Sequence, residues 1–257
     1  MTERKAASLN GRVALVTGSG AGMGKSHAVL MAERGADIVV QDVNLDTAEA
    51  TAAEVRKLGR RALAFGYDIS DVAKTQDMVK KAEGEFGRID IIVNNAGIGG
   101  GKKKIEEIDE AQFHRMLNIH LTGHFFLTKA VVPGMKSRKT GKIINIASRW
   151  AMTGADNSSH YIAAKGALIG VTKAWAHEFA PWNINVNAVA PGGVWTDMVL
   201  KASGEAFIRA EEKKVPLQRW AQPIEYAYAV AFLASAESDF ITGQVLSPNG
   251  GASIVGI

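Results

Sequence analysis

Cysteine is absent from the 257 residues of this sequence. Its absence excludes disulfides, thiolate nucleophiles and cysteine-bound zinc. Long apolar runs are also missing, so no segment predicts a membrane span. The first eleven residues, MTERKAASLNG, lack the apolar stretch of a secretory signal. These absences predict a cytoplasmic protein with no membrane partner.

The charged residues give no sign of a nucleic-acid partner. Lys and Arg number 30 against 26 Asp and Glu, which gives a formal net charge of +4. The basic residues are spread along the chain, with one short run at residues 102–104, and no basic stretch is interleaved with aromatics. The 27 glycines predict several tight turns or close backbone approaches.

Short apolar runs alternate with longer amphipathic stretches along the whole chain. The runs predict strands at residues 13–17, 37–41, 61–65, 89–94, 141–147, 184–189 and 244–246. The stretches predict helices at residues 23–34, 45–58, 71–86, 109–136 and 161–179. Continuous apolar strands suit a parallel sheet that is covered on both faces. We therefore predict one α/β domain over residues 1–257, a doubly wound Rossmann fold with a seven-stranded parallel sheet.

Residues 194–214 interrupt this alternation with two charged helical pieces and no strand. Ligands of doubly wound folds bind at the carboxyl ends of the strands, where a segment that follows the sixth strand would lie. We predict that residues 194–214, the lid segment, form a small helical lid over a substrate.

A glycine-rich turn, TGSGAGMG, joins the first predicted strand to the first helix. Gly18, Gly22 and Gly24 would let the backbone approach a pyrophosphate at the helix N-terminus. Asp42 ends the second strand 18 residues after Gly24, at the spacing of a carboxylate that binds the adenosine ribose hydroxyls. Because this carboxylate would repel a 2′-phosphate, the pattern favours NAD over NADP.

Tyr161 and Lys165 stand four residues apart in the sequence SSHYIAAK and would share one helix face. A positive charge about 4 Å from a phenol contributes roughly 4 kcal/mol at an effective dielectric near 20, enough to lower its pKa by about 3. The pair predicts an acid–base site for proton transfer.

Three motifs occur in order: residues 17–24, the sequence NNAG at residues 94–97, and the Tyr161/Lys165 pair. With these, the chain resembles the short-chain dehydrogenase/reductase family, in the branch of the β-ketoacyl carrier-protein reductases and NAD-dependent alcohol dehydrogenases. The resemblance implies that Asn118, Ser148, Tyr161 and Lys165 form the catalytic group. In the family, the asparagine binds a water next to the lysine, and the serine hydroxyl polarises the substrate oxygen.

The resemblance also implies a dinucleotide site. The glycine loop would hold the phosphates, residues 68–69 would cradle the adenine, and residues 191–196 would hold the carboxamide. The implied cofactor residues are Gly18, Gly20, Ala21, Gly22, Met23, Gly24, Asp42, Val43, Asp68, Ile69, Asn95, Ala96, Gly97, Tyr161, Lys165, Pro191, Gly192, Val194 and Thr196.

Residues near the motifs suggest where a substrate binds. The predicted substrate contacts are Ser148, Arg149, Trp150, Asn157 and Trp195. Arg149 and the lysines of residues 102–104 would favour an anionic substrate, although a solvated lysine loop is the alternative. His120 and His124 lie one turn apart without a third ligand, so we predict core or surface histidines and no metal site.

These observations favour an oxidoreductase that transfers a hydride between NAD(H) and a secondary alcohol or ketone. One alternative is an NADPH-dependent 3-oxoacyl-carrier-protein reductase, which Asp42 opposes. Another is a non-catalytic dinucleotide-binding sensor, since a fold by itself does not establish a reaction. The resemblance further implies a homotetramer.

Overall fold

A parallel sheet forms the centre of the protein in a computed structural model that describes residues 7–255. The seven strands of the described chain are β1 (Val13–Thr17), β2 (Asp37–Asp42), β3 (Ala62–Gly66), β4 (Ile91–Asn94), β5 (Gly141–Ile146), β6 (Ile184–Val189) and β7 (Val245–Leu246). Each begins and ends within two residues of its predicted bounds. The predicted doubly wound α/β fold is confirmed.

The strand order is β3-β2-β1-β4-β5-β6-β7, and every neighbouring pair is parallel. The direction of winding reverses between β1 and β4. Ligands of such sheets bind in the crevice outside the carboxyl ends at this reversal. The loops that follow β1 and β4 therefore define where a site should form.

Helices cover both faces of the sheet. The α-helices of the described chain are α1 (Gly22–Glu33), α2 (Leu45–Lys57), α3 (Val72–Phe86), α4 (Glu110–Leu117), α5 (His124–Arg138), α6 (Trp150–Thr153), α7 (Ser159–Phe179), α8 (Asp197–Ser203), α9 (Glu205–Glu212) and α10 (Pro223–Ala234). The lid segment contains α8 and α9, the two helical pieces that its charge pattern predicts.

Alternate residues of the strands face opposite helical layers. Leu15 of β1 packs in a cluster with Leu127 of α5 and Trp175 of α7. Its neighbour Val16 packs on the other face with Met31 of α1. Because both faces are covered, the strands are apolar throughout and do not alternate with polar residues.

Three parts of the helical layer differ from the prediction, and the first is the short helix α6, which no predicted helix covers. The stretch predicted as one helix at 109–136 is α4 and α5 joined by a π-helical turn at Asn118–Gly123. Helix α10 lies outside the predicted helices, although Pro223 at its first turn and the Gln222–Glu225 capping box are N-terminal signals. Within residues 7–255, no helix combines the length and apolar character needed to cross a membrane.

Candidate active site

The loops that follow β1 and β4 are fastened together at the carboxyl edge of the sheet. The Thr17 hydroxyl accepts hydrogen bonds from the backbone N–H groups of Asn95 and Ala96, both at 2.9 Å. In return, the Asn95 amide donates to the carbonyl of Thr17 at 2.8 Å and to that of Gly18 at 3.2 Å. The glycine-rich turn (residues 17–24) and the NNAG motif (residues 94–97) are therefore joined into one surface, which we call the floor of the site.

Glycine is required in this floor because there is no room for side chains. A Cβ atom at Gly24 would lie 2.1 Å from the Gly18 carbonyl oxygen, and one at Gly18 would lie 2.8 Å from Cα of Ala96. Gly22 has φ +55° and faces Thr196 of the lid segment, whose methyl group lies 3.5 Å from the Cβ position. This cradle, at the N-terminus of α1, fits a pyrophosphate.

The side chains in and around the glycine-rich loop lie in different environments. Ala21 is exposed and caps α1 without a side-chain hydrogen bond, whereas Met23 packs against the core beneath the helix. Asp42 ends β2, and its carboxylate accepts a 2.8 Å hydrogen bond from the Gly20 N–H. The next side chain, Val43, is 70% exposed. An acidic group and an apolar surface thus flank the loop.

Asp68 and Ile69 follow β3 as predicted, but the Asp68 carboxylate already has protein partners. Arg115 forms an ion pair with it, and the hydroxyl and N–H of Ser70 both donate to it. Burial acts to raise the pKa of Asp68, but these hydrogen bonds outweigh it and lower the pKa. Ile69 is buried in the core. The predicted contact of these two residues with adenine stays a prediction.

Ser148, Tyr161 and Lys165 meet at the end of β5, and we call them the Ser–Tyr–Lys cluster. Ser148 is buried just after the strand, and its Oγ accepts a 3.3 Å hydrogen bond from the Trp150 N–H. The Ser148 hydroxyl also lies next to the Tyr161 phenol, whose pKa it acts to lower. Lys165 Nζ lies 5.9 Å from the centroid of the Tyr161 ring. The structure therefore brings three of the four predicted catalytic residues together.

The electrostatics of the cluster differ from the expectation that Lys165 lowers the pKa of Tyr161. Burial raises the pKa of the Tyr161 phenol, and the neighbouring Ser148 hydroxyl opposes that rise. Burial also lowers the pKa of Lys165 to about 7, so that its charge is only partial near neutral pH. Its Nζ donates a 2.6 Å hydrogen bond to the Ile146 carbonyl. The lysine is therefore held by the backbone of β5.

Asn118, the fourth predicted residue, lies outside this cluster. It is exposed, and its side-chain oxygen accepts a 3.5 Å hydrogen bond from Thr122. His120 instead faces the cluster, with its ring centroid 5.5 Å from that of Tyr161 and the ring planes 89° apart. Residues two apart on a helix point to nearly opposite sides, so Asn118 and His120 cannot both face Tyr161.

His124 has a different role from His120. Its two ring nitrogens contact the Thr17 hydroxyl at 3.2 Å and the His120 carbonyl at 2.9 Å. Burial lowers the pKa of His124 to about 3, which keeps the imidazole neutral. Nowhere in residues 7–255 do three His, Cys, Asp or Glu side chains converge in a way that could hold a metal ion.

The predicted substrate residues occupy several places. Trp150 packs edge-on against Tyr161, with ring centroids 6.3 Å apart. Arg149 donates to the Ser253 hydroxyl at 3.3 Å, and Asn157 accepts from Ser158 at 2.9 Å. The indole N–H of Trp195 donates to Glu212 at 2.8 Å, within the lid segment. Among these, Ser148 and Trp150 lie next to Tyr161.

The segment after β6 approaches the glycine loop. Pro191 accepts a hydrogen bond from the Arg149 N–H at 3.0 Å, and Gly192 packs on Asn249, where a Cβ atom would lie 3.0 Å from Cα. Val194 forms an isolated bridge with Ala221. Thr196 caps α8 by accepting a hydrogen bond from the N–H of Val199 at 3.3 Å. This cap fixes the start of the lid segment beside Gly22.

Two of the three lysines after β4 have partners for their side chains. Lys102 Nζ lies 3.4 Å from the centroid of the Phe207 ring on α9. Lys104 donates to the carbonyl of Asp156 at 2.7 Å and pairs with its carboxylate at 3.3 Å. These contacts tie the loop to the lid segment on one side and to the residues before α7 on the other.

Comparisons with known proteins agree with this geometry. The family model described as enoyl-(acyl carrier protein) reductase matches residues 18–253. The 3-oxoacyl-(acyl-carrier-protein) reductase of Thermotoga maritima is 36% identical over 246 residues, covering 96% of this chain and 99% of that protein.

Two solved structures are also similar. The carveol dehydrogenase of Mycobacterium avium in complex with NAD has a TM-score of 0.90 at 32% identity and covers 95% of this chain and 98% of its own. The gluconate 5-dehydrogenase of Burkholderia cenocepacia in complex with NADP and tartrate has a TM-score of 0.90 at 36% identity, with 96% of each chain covered. The chain therefore belongs to the short-chain dehydrogenase/reductase family of oxidoreductases, which bind a nicotinamide dinucleotide.

Proposed function

We propose that this protein transfers a hydride between NAD(H) and a secondary alcohol or ketone, with Tyr161 as the acid and base. The observation that carries the proposal is the Ser–Tyr–Lys cluster at the carboxyl edge of β5, beside the loops that follow β1 and β4. Hydride transfer belongs to the cofactor, and the protein must orient both partners and move one proton.

The residues of the floor fit a dinucleotide. Gly18, Gly22 and Gly24 leave open the space that Cβ atoms would fill, next to the free N–H groups at the start of α1. When bound, the nicotinamide ring supplies the carbon that accepts or donates the hydride. Pro191, Val194 and Thr196 are the proposed contacts of its carboxamide side.

Side chains of the protein donate and accept the proton. Because burial raises its pKa, the Tyr161 phenol is protonated near neutral pH, the form that donates to a ketone oxygen. Ser148, whose hydroxyl lies next to the phenol, is placed to donate to the same oxygen. Lys165, with a pKa of about 7, can take up and release a proton in this pH range. Alcohol oxidation would use the same groups in reverse.

Asp42 supports NAD as the cofactor. Its carboxylate lies at the end of β2 and is bonded to the glycine loop through the Gly20 N–H. A negative charge at this position attracts ribose hydroxyls and repels a 2′-phosphate. A second candidate function, reduction of 3-oxoacyl groups on a carrier protein, is favoured by the Thermotoga relative.

A substrate and coenzyme screen tests the proposal. Neutral and acidic secondary alcohols and ketones, together with a 3-oxoacyl thioester, are assayed with NAD(H) and NADP(H) side by side. We expect turnover of at least one alcohol–ketone pair with preference for NAD(H). Preference for the thioester with NADPH would support the second candidate, and the acidic compounds test the predicted anionic substrate.

A tyrosine variant tests the chemistry separately from binding. Tyr161→Phe should lower kcat by about 10²- to 10⁴-fold, the range that a positioned acid or base contributes, while NADH fluorescence still reports binding. Tyr228→Phe, at an exposed tyrosine of α10, is the matched control and should leave kcat unchanged. Full activity in Tyr161→Phe would refute the proposed role.

We also propose that the protein is a homotetramer. Apolar side chains are exposed on the helices that precede β5, at Phe113 and Phe125, and near the carboxyl end of the described chain, at Ile254. Light scattering of the purified protein gives the mass directly, and a mass of one or two chains would contradict this assembly.

A further inference from the structure

His120 lies beside the proposed acid and base, on the π-helical turn at Asn118–Gly123. Its side chain is 1% exposed, and its ring stands edge-to-face on the Tyr161 ring at 5.5 Å between centroids. Turns of this kind, with one extra residue, are often found at functional sites. The turn directs His120 inward and leaves Asn118 outside.

The opposite edge of the imidazole supports the loop after β4. Nε2 lies 3.0 Å from both the N–H nitrogen and the carbonyl oxygen of Ile98. A Cβ atom at Gly97 would lie 2.3 Å from Cε1 of the ring. The side chain therefore fills the space between the loop and the phenol, and it explains why residue 97 is a glycine.

A polar ring is an unexpected choice for such a buried place. Nδ1 of His120 has no hydrogen-bond partner among the described residues, in whichever tautomer Nε2 contacts Ile98. A buried polar atom without a partner is destabilising, and an aliphatic side chain would avoid that penalty. A polar group is therefore retained here at the expense of stability, next to the groups that move the proton.

The imidazole is neutral in this setting. The titratable groups that face it, besides Tyr161, are Lys165 and His160 on α7 and His124 on α5. Burial lowers the pKa of His120 well below its usual value, and the positive charge of Lys165 lowers it further. A neutral ring adds polarity beside Tyr161 without adding a second positive charge beside Lys165.

We propose that His120 is a positioning residue of the reaction. It holds the Tyr161 phenol and the Gly97–Ile98 backbone in fixed relative positions, and it provides a neutral polar surface for the phenol. In this chain it takes the place next to Tyr161 that the family resemblance assigned to Asn118. The inference rests on the proposed function of Tyr161.

Two substitutions separate polarity from bulk. His120→Leu fills the space with an apolar side chain, whereas His120→Gln keeps an amide near the position of Nε2. His114→Gln, at an exposed histidine of α4, is the matched control. For each variant we would measure kcat and its pH profile, NADH binding by fluorescence, and thermal unfolding.

We expect His120→Leu to lower kcat by about 10- to 100-fold with NADH binding within threefold of the parent. Its pH profile should move to higher pH, because an apolar neighbour disfavours the phenolate. His120→Gln should recover at least fivefold of the lost kcat and leave the profile near that of the parent. A kcat for His120→Leu within twofold of the parent would overturn the inference. An equal loss in both variants, or a loss matched by Asn118→Ala, would also overturn it.

An ultraviolet titration of Tyr161 requires no turnover, and it therefore tests the inference independently of the proposed function. The difference between the ultraviolet titrations of the parent and Tyr161→Phe isolates the ionisation of Tyr161. His120→Leu should shift that ionisation to higher pH, and an unchanged titration would overturn the inference. A parent that binds NADH but converts no compound of the screen would refute the proposed function and leave this titration to decide the role of His120.

Discussion

Lys165 Nζ donates a 2.6 Å hydrogen bond to the carbonyl oxygen of Ile146, the last residue of β5. The ammonium is buried, and burial lowers its pKa to about 7 from an ordinary 10.5. A lysine in this position is retained although a charged group is costly to bury. Its presence so close to Tyr161 is understandable if it serves the reaction.

Lys165→Met should stabilise the protein in a pH-dependent way. Between pH 7 and 10.5 the unfolded chain binds more protons at this lysine than the folded chain, so the destabilisation caused by Lys165 fades as pH rises. The gain in Tm of Lys165→Met should therefore be largest at pH 7 and below, and should shrink toward pH 10. Calorimetry across this range measures it, with the exposed Lys173→Met of the same helix as the control. A gain that does not change with pH would contradict the assignment.

The strands and the glycine loop could be predicted from the sequence because their signals are local. Apolar runs predict β1 and β4. The spacing of Gly18 and Gly24 predicts a turn that has no room for side chains at these positions. No local signal in the sequence determines the direction in which the side chains around residue 118 point. That direction depends on the π-helical turn, which rotates His120 onto Tyr161 and Asn118 into solvent.

A signal for His120 was nevertheless present. His120, His124, Leu127 and Val131 are spaced by four, three and four residues and are all buried, as one helix face should be. Asn118 does not belong to that series. The surroundings of Lys165 had no such signal, because its contact with Ile146 joins a helix to a strand 19 residues earlier and depends on how α7 packs on the sheet.

Gly24→Ala should disrupt the glycine cradle. The added Cβ atom would lie 2.1 Å from the Gly18 carbonyl oxygen and 2.5 Å from the Asn95 amide, so the floor must shift. Overpacking of this kind costs about 1–3 kcal/mol, and we expect NADH binding to weaken at least tenfold. Gly84→Ala on α3 is the matched control, because its Cβ atom meets nothing within 4 Å and alanine favours a helix by about 1 kcal/mol. Titration of NADH fluorescence and thermal unfolding separate the two effects, and unchanged binding in Gly24→Ala would contradict the cradle.

Lys102→Met should loosen the contact between the loop after β4 and the lid segment. The Lys102 ammonium lies over the Phe207 ring of α9, a cation–π contact worth about 0.5–2 kcal/mol. Met keeps the apolar packing and removes the charge, so we expect the KM for the alcohol or ketone to rise about 2- to 10-fold with NADH binding unchanged. Steady-state kinetics measure it, and the exposed Lys80→Met on α3 is the control. A KM equal to that of the parent would mean that this contact does not help to close the site.

Asp42→Ala should widen the coenzyme range toward NADP(H). The carboxylate accepts the Gly20 N–H at 2.8 Å, which fixes a negative charge at the mouth of the glycine loop. Repulsion of a 2′-phosphate there is worth about 1–3 kcal/mol, so kcat/KM for NADP should rise about 10- to 100-fold. The same change should lower kcat/KM for NAD, because the ribose hydroxyls lose their acceptor. Asp46→Ala, which removes an exposed carboxylate at the start of α2, controls for net charge and should leave the NAD-to-NADP ratio within twofold of the parent. If Asp42→Ala and Asp46→Ala change the ratio equally, the selectivity reflects the overall charge of the protein and not the position of Asp42.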